Sequence, residues 1–229
     1  MLAAAVLSLA AVAGLSPISR VLTQEPVVAI TFDACATRTK GYEFDRRIFE
    51  ILRSEQIPAT IFVSGRWIEA HPAEARELAA DPLIEFGNHS WDHPHFTHIN
   101  LERMDAEVQQ TQAALARIGR RAVAFRPPFG DWSPRVVREI RRLFRLPTVM
   151  WDVVSGDPSK KATTDGIISE VLEHTQRGSI IIFHINGRGW HTAEALPRIL
   201  SELRARGLRF VPLSELLKLG PPVAADPNG

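Results

Sequence analysis

Seven short runs of β-branched and apolar residues, separated by stretches with the spacing of amphipathic helices, set the tightest limit on what this chain can fold into. The runs are VVAITF (27–32), ATIFVS (59–64), IEFGNH (84–89), AVAFR (122–126), TVMWDVV (148–154), SIIIFHI (179–185) and RFVPL (209–213). Each is short and almost continuously apolar, as expected of a strand covered on both faces. Between them EFDRRIFEILRSE, PAEARELAAD, LERMDAEVQQTQAALARIG, SPRVVREIRRLF, TDGIISEVLEHTQ and TAEALPRILSELRARG repeat apolar residues at helical spacing, several opening at Ser, Thr or Pro. Strand followed by helix, repeated, predicts a parallel sheet with helices outside it, because parallel neighbours need a crossover connection. No solenoid-type repeat is evident, so a doubly wound sheet and a closed or nearly closed barrel both satisfy the pattern.

The polar residues favour the barrel. Asp33 follows the first run, His89 ends the third, Arg126 ends the fourth, Asp152 and Asp157 lie at and beyond the fifth, and His184 sits near the end of the sixth. In a parallel α/β barrel the carboxyl ends of the strands open onto one face, where side chains from distant segments converge. NHSWDHPHFTH (88–98) adds four of the chain's eight histidines. His89 and His93, four apart, can grip one divalent ion if the segment makes a helical turn. A structural role is the plain alternative for any histidine pair, and the clustering at a strand end argues against it. His95 and His98, beside Phe96 and Ile99, read as surface or supporting residues. Trp91, Trp132 and Trp190 offer flat faces suited to sugar rings or to packing, whereas Trp151, next to Asp152, is expected to pack in the barrel.

Five blocks in order resemble the polysaccharide deacetylases of carbohydrate esterase family 4, the nodulation-protein-B homology domain: TFDA (31–34), HSWDH (89–93), RPPFG (126–130), WDVVSGDP (151–158) and IIFH (181–184) followed by HTAEALP. The resemblance covers roughly residues 26–217 and implies a distorted (β/α)7 barrel, in agreement with the count of runs. It also implies roles. Asp33 matches the catalytic base and Arg126 the arginine that orients it. His89 and His93 match the metal-binding histidines. His184 matches the general acid, and Asp157 the carboxylate that keeps that imidazole charged and aligned. The backbone N–H at Phe129 matches an oxyanion donor, and Trp91 is taken as a substrate contact. The cofactor implied is a divalent metal, zinc before cobalt.

The chain departs from the family's pattern in its first block, where two consecutive aspartates are usual and the second is a metal ligand. Here Ala34 stands in that place. Cys35, Asp45 from the following helix, or Asp33 itself could supply the third donor. FDAC resembles a divergent branch of the same family. Val154 and Pro158 stand where aspartate and tryptophan are common, which points to an altered groove.

Composition narrows the remainder. With 27 Lys plus Arg against 26 Asp plus Glu and no long basic run, no nucleic-acid footprint shows. RVVREIRRLFR (135–145) reads as the solvated face of an amphipathic helix. One cysteine excludes an internal disulfide. MLAAAVLSLAAVAG is apolar but too short to span a bilayer. Ala11-Val12-Ala13 before Gly14 has the form of a signal-peptidase site, without the usual basic residue ahead. The expected organisation is a signal-like leader (1–25), one deacetylase domain (26–217) and a flexible tail (218–229). The expected protein is periplasmic or secreted and acts on a polysaccharide, without stable membrane insertion.

Overall fold

A computed structural model describes residues 15–37, 39 and 42–226. The strands in chain order are β1 (Ile18–Val21), β2 (Val27–Ala34), β3 (Ala59–Val63), β4 (Ile84–Asn88), β5 (Ala122–Phe125), β6 (Val153–Val154), β7 (Ile180–His184), β8 (Arg209–Phe210) and β9 (Pro222–Ala224). The helices are α1 (Arg46–Ser54), α2 (Gly65–Ala70), α3 (Pro72–Ala80), α4 (Leu101–Arg117), α5 (Pro134–Phe144), α6 (Thr164–His174), α7 (Thr192–Ala205) and α8 (Leu213–Leu216). Local chemistry fixes their starts. Asn100 caps α4 by accepting from Arg103 N, Ser133 caps α5 ahead of Pro134, and Thr163 caps α6.

The main sheet has seven strands in the order β5-β4-β3-β2-β7-β6, with β8 pairing the start of β2, and every recorded pair in it is parallel. The gap between β5 and β6 is spanned by irregular backbone: Phe125 N donates to Pro147 O, and Val149 N donates to Phe125 O. The result is a distorted barrel whose seam is stitched rather than paired. All seven expected strand runs lie in it, but TVMWDVV contributes regular strand only at Val153–Val154. RFVPL shortens to Arg209–Phe210 because Pro212 opens α8.

Alternation along the strands sorts side chains into two layers. From β2, Val28, Ile30, Phe32 and Ala34 join the cluster beneath the helices, with Ile61, Phe183, Leu196 and Leu200. Val27 and Ala29 face the interior with Phe62, Ala124 and Ile180. The same alternation carries Thr31 and then Asp33 up the inside of the barrel.

One element was not expected. β1 and β9 form a two-stranded antiparallel sheet, Ile18 opposite Ala224 and Val21 opposite Pro222. Residues assigned from sequence to the leader and the tail are therefore ordered against each other. β1 also meets the barrel at the start of β7, where Val21 N donates to Gly178 O. The expected cleavage site at residues 11–14 lies outside the described residues. Among the described residues, no helix is long and apolar enough to cross a membrane.

Candidate active site

Asp33 and His184 are register partners on neighbouring strands β2 and β7. Both line a cavity of about 220 Å³ together with Cys35, His89, His93, Phe129, Trp151, Asp157 and Arg188. Arg126, fully buried, donates from Nη1 to Asp33 Oδ1 at 2.8 Å and from Nη2 to Thr31 Oγ1 at 2.9 Å and Met150 O at 3.1 Å. Its guanidinium lies 4.0 Å from the centroid of Phe62. Burial alone would push the Asp33 carboxyl up, but the charges of His89 and Arg126 and the Arg126 hydrogen bond outweigh it and hold it below the usual range. Since burial keeps His89 neutral, Arg126 is the cation that sustains this at neutral pH.

His184 is fixed at two atoms. Its Nδ1–H donates to Asp157 Oδ1 at 2.8 Å and its backbone N–H to Asp157 Oδ2 at 2.7 Å. Thr192 Oγ1 donates to the same Oδ2 at 2.7 Å. Nε2 is left for the cavity. Asp157 and Thr192 are themselves fully buried, so the carboxylate has no rotational freedom to release the ring.

The histidine pair sits in a loop rather than a helical turn. Ser90 and His93 both take positive φ, 66° and 58°, conformations that a non-glycine residue holds only when its surroundings impose them. Ser90 N donates to Asn88 Oδ1 and His93 N to Ser90 Oγ. From below, Glu107 of α4 accepts from Trp91 N at 2.8 Å and Asp92 N at 2.7 Å through one oxygen, while Arg103 holds the other at 2.5 Å. His89 Nδ1–H donates to Arg126 O at 2.9 Å, which leaves the Nε2 lone pair free to bind. The two Nε2 atoms are 3.2 Å apart, and His89 Nε2 is 3.5 Å from Asp33 Oδ2. Burial pulls the pKa of both imidazoles down, that of His93 to about 3.

Two neutral imidazoles aimed at one point suit a divalent ion. Among the described residues, no group of three or more His, Cys, Asp or Glu side chains is disposed to hold one. The donor chemistry thus fits an ion gripped by two histidines, one short of the usual catalytic set. Ala34 carries no donor atom and packs in the helix-side apolar layer, so it adds nothing to the set. Of the three substitutes considered, Asp45 is not on the cavity wall; it caps α1, accepting from Arg47 N. Cys35 does face the cavity, but burial, and after it the Asp33 charge, push its thiol up to about 12, and Asn186 donates to its Sγ. Asp33 Oδ2 remains the nearest oxygen.

Two further sequence expectations change, at Trp91 and Asp152. Trp91 packs against Gly65, where an added Cβ would lie 2.0 Å from its ring, and it does not line the cavity; Trp151 packs against the barrel interior as expected and also forms part of the cavity wall. Asp152 belongs to the frame, accepting from Ile180 N and Ser179 Oγ at the opposite end of β7. His95 is exposed, as expected of a surface or supporting residue, and stacks on the exposed ring of Phe129 at 4.2 Å between centroids. Glu107, Thr192 and Asn186 went unnoticed in sequence, since a buried helix glutamate reads as one more charge on an amphipathic face. Replacing Glu107 by Ala should lower stability by about 1–3 kcal/mol, the cost of orphaning buried N–H groups, and weaken Co²⁺ binding. Glu107→Gln, which keeps an acceptor oxygen, should retain most of both in denaturant and metal titrations.

A parallel barrel with carboxylate and imidazole side by side at its strand ends is an enzyme scaffold of the hydrolase type. The sequence profile described as polysaccharide deacetylase matches residues 20–144 of the 229, and the chain belongs to that family. Deacetylases of this family are metal-dependent hydrolases of amide bonds in acetylated glycans. Among curated relatives, the chitooligosaccharide deacetylase of Azorhizobium caulinodans is 30% identical over 72% of this chain and 84% of its own length. The uncharacterized protein YlxY of Bacillus subtilis is 27% identical over 88% of this chain, which spans only 60% of that relative. A solved peptidoglycan N-acetylglucosamine deacetylase superposes with TM-score 0.79 at 25% identity, covering 88% of this chain and 92% of that one. A carbohydrate esterase family 4 pseudoenzyme from Bacillus anthracis superposes equally well, TM-score 0.79 at 27% identity, covering 90% of this chain and 70% of that one.

Proposed function

We propose that this chain is a metal-dependent hydrolase that removes N-acetyl, or alternatively O-acetyl, groups from a glycan of peptidoglycan or chitin type outside the cytoplasm. The observation that carries the reading is the pair of fixed couples, Asp33 with Arg126 and His184 with Asp157, facing one cavity from adjacent strands. The relatives named for peptidoglycan and chitooligosaccharide support the substrate class.

Each residue then has a task. Asp33, ionised and held at Oδ1, takes a proton from the attacking water through Oδ2. The backbone N–H of Phe129 donates to the oxygen that becomes negative as the carbonyl is attacked. His184 delivers a proton from Nε2 to the departing amine, and Asp157 balances the imidazolium charge. His89 and His93 hold the ion, zinc or cobalt by their donor type, which when bound polarises the carbonyl and makes water more acidic.

Acetate release from N-acetylated glycans by metal-stripped protein, with and without added Zn²⁺ or Co²⁺, tests this. Activity should vanish on stripping and return with metal, and Asp33→Asn and His89→Ala should each lose about 100-fold or more. Activity indifferent to stripping, or surviving both substitutions, refutes it. The missing third donor at Ala34 and the likeness to a pseudoenzyme favour a second reading, a carbohydrate-binding relative without catalysis. Its signature is glycan binding with no acetate released under any metal.

A further inference from the structure

One charged side chain on the cavity wall belongs to neither couple. Arg188 lines the cavity from the loop between β7 and α7. That loop is clamped: Trp190 N donates to Asp157 O at 2.9 Å, and a Cβ on Gly189 would fall 2.2 Å from His184 O and 2.6 Å from Thr192 Oγ1. The guanidinium lies 5.6 Å from the centroid of the Tyr42 ring, a cation–π contact that steadies it without neutralising it. Both carboxylates of the cavity are engaged elsewhere, Asp33 with Arg126 and Asp157 with His184. Among the described residues, Arg188 forms no ion pair.

With Arg126 sealed behind Asp33, Arg188 is the guanidinium on the cavity wall that is turned to a ligand rather than to a carboxylate of the site. A guanidinium half-withdrawn from water beside an apolar wall of Phe129, Trp151 and Val154 recognises a planar anion by paired hydrogen bonds and does little for a hydroxyl. We propose that Arg188 forms a carboxylate-recognising subsite, so that the glycan selected carries an acidic group on or beside its N-acetylated sugar. The inference rests on the deacetylase reading for the sugar and on Arg188 alone for the acid.

The test compares two forms of one oligosaccharide, N-acetylamino sugars bearing ether-linked lactic acid, with the carboxylates free or methyl-esterified. Calorimetric binding to the protein should be about ten-fold tighter for the free acid, the scale of a charge-assisted hydrogen bond. Arg188→Gln should bring the ratio of the two affinities close to one, with Arg188→Lys between. Equal affinity for the two forms in the wild-type protein, or a preference that persists in Arg188→Gln, overturns the proposal. Because binding is read without turnover, a chain that hydrolyses neither form would defeat the deacetylase reading and still leave the Arg188 result decisive.

Discussion

His184→Gln should lower kcat/KM for an N-acetylated glycan by about 10²–10⁴-fold, the range for loss of general acid catalysis, while thermal stability changes little. An amine leaves poorly unless protonated, and Nε2 of His184 is the donor that the Asp157 contacts orient toward the cavity. The discriminating measurement uses two acyl substrates in parallel. An aryl acetate, whose leaving group departs without a proton, should lose far less than the acetamide. Equal losses on both would mean that the imidazole supports the site in some other way and that the acid lies elsewhere.

Arg126→Met should be the most destabilising single change in the site, about 3–5 kcal/mol in chemical denaturation, because it leaves the Asp33 charge buried without its partner. The guanidinium also satisfies Thr31 Oγ1 and Met150 O, so the loss spreads through the barrel interior. Asp33→Asn combined with Arg126→Met should be more stable than the sum of the two single losses, since removing both charges removes the uncompensated one. Strict additivity in that cycle would show that the pair is not coupled and that Arg126 acts only through packing.

The barrel could be read from sequence because its strands are buried on both faces and so announce themselves as apolar runs, and because its polar residues interrupt those runs only at one end. Asp33, His184, Arg126 and Asp157 were recognisable by that position and by ordered motifs, and the structure brings all four together. Side-chain direction off the regular strands was not legible. The positive φ values at Ser90 and His93 are imposed by contacts from Asn88 and Glu107, and they turn Trp91 inward against Gly65 while Trp151 takes the cavity wall. Asp152 departed from the pattern because a carboxylate that accepts from a neighbouring backbone looks, in one dimension, like one that waits for a ligand. The β1–β9 pairing joins residues about two hundred positions apart, and four- and three-residue strands carry too little periodicity to betray such a partnership.

That small buckle has a practical side. By clasping Ile18 to Ala224 beside the start of β7, it brings the first and last described strands together on the floor of the barrel, whereas Asp33 and His184 open at the roof. A permuted gene that links β9 to β1 through a short connection and cuts a surface loop elsewhere should still build the same bowl.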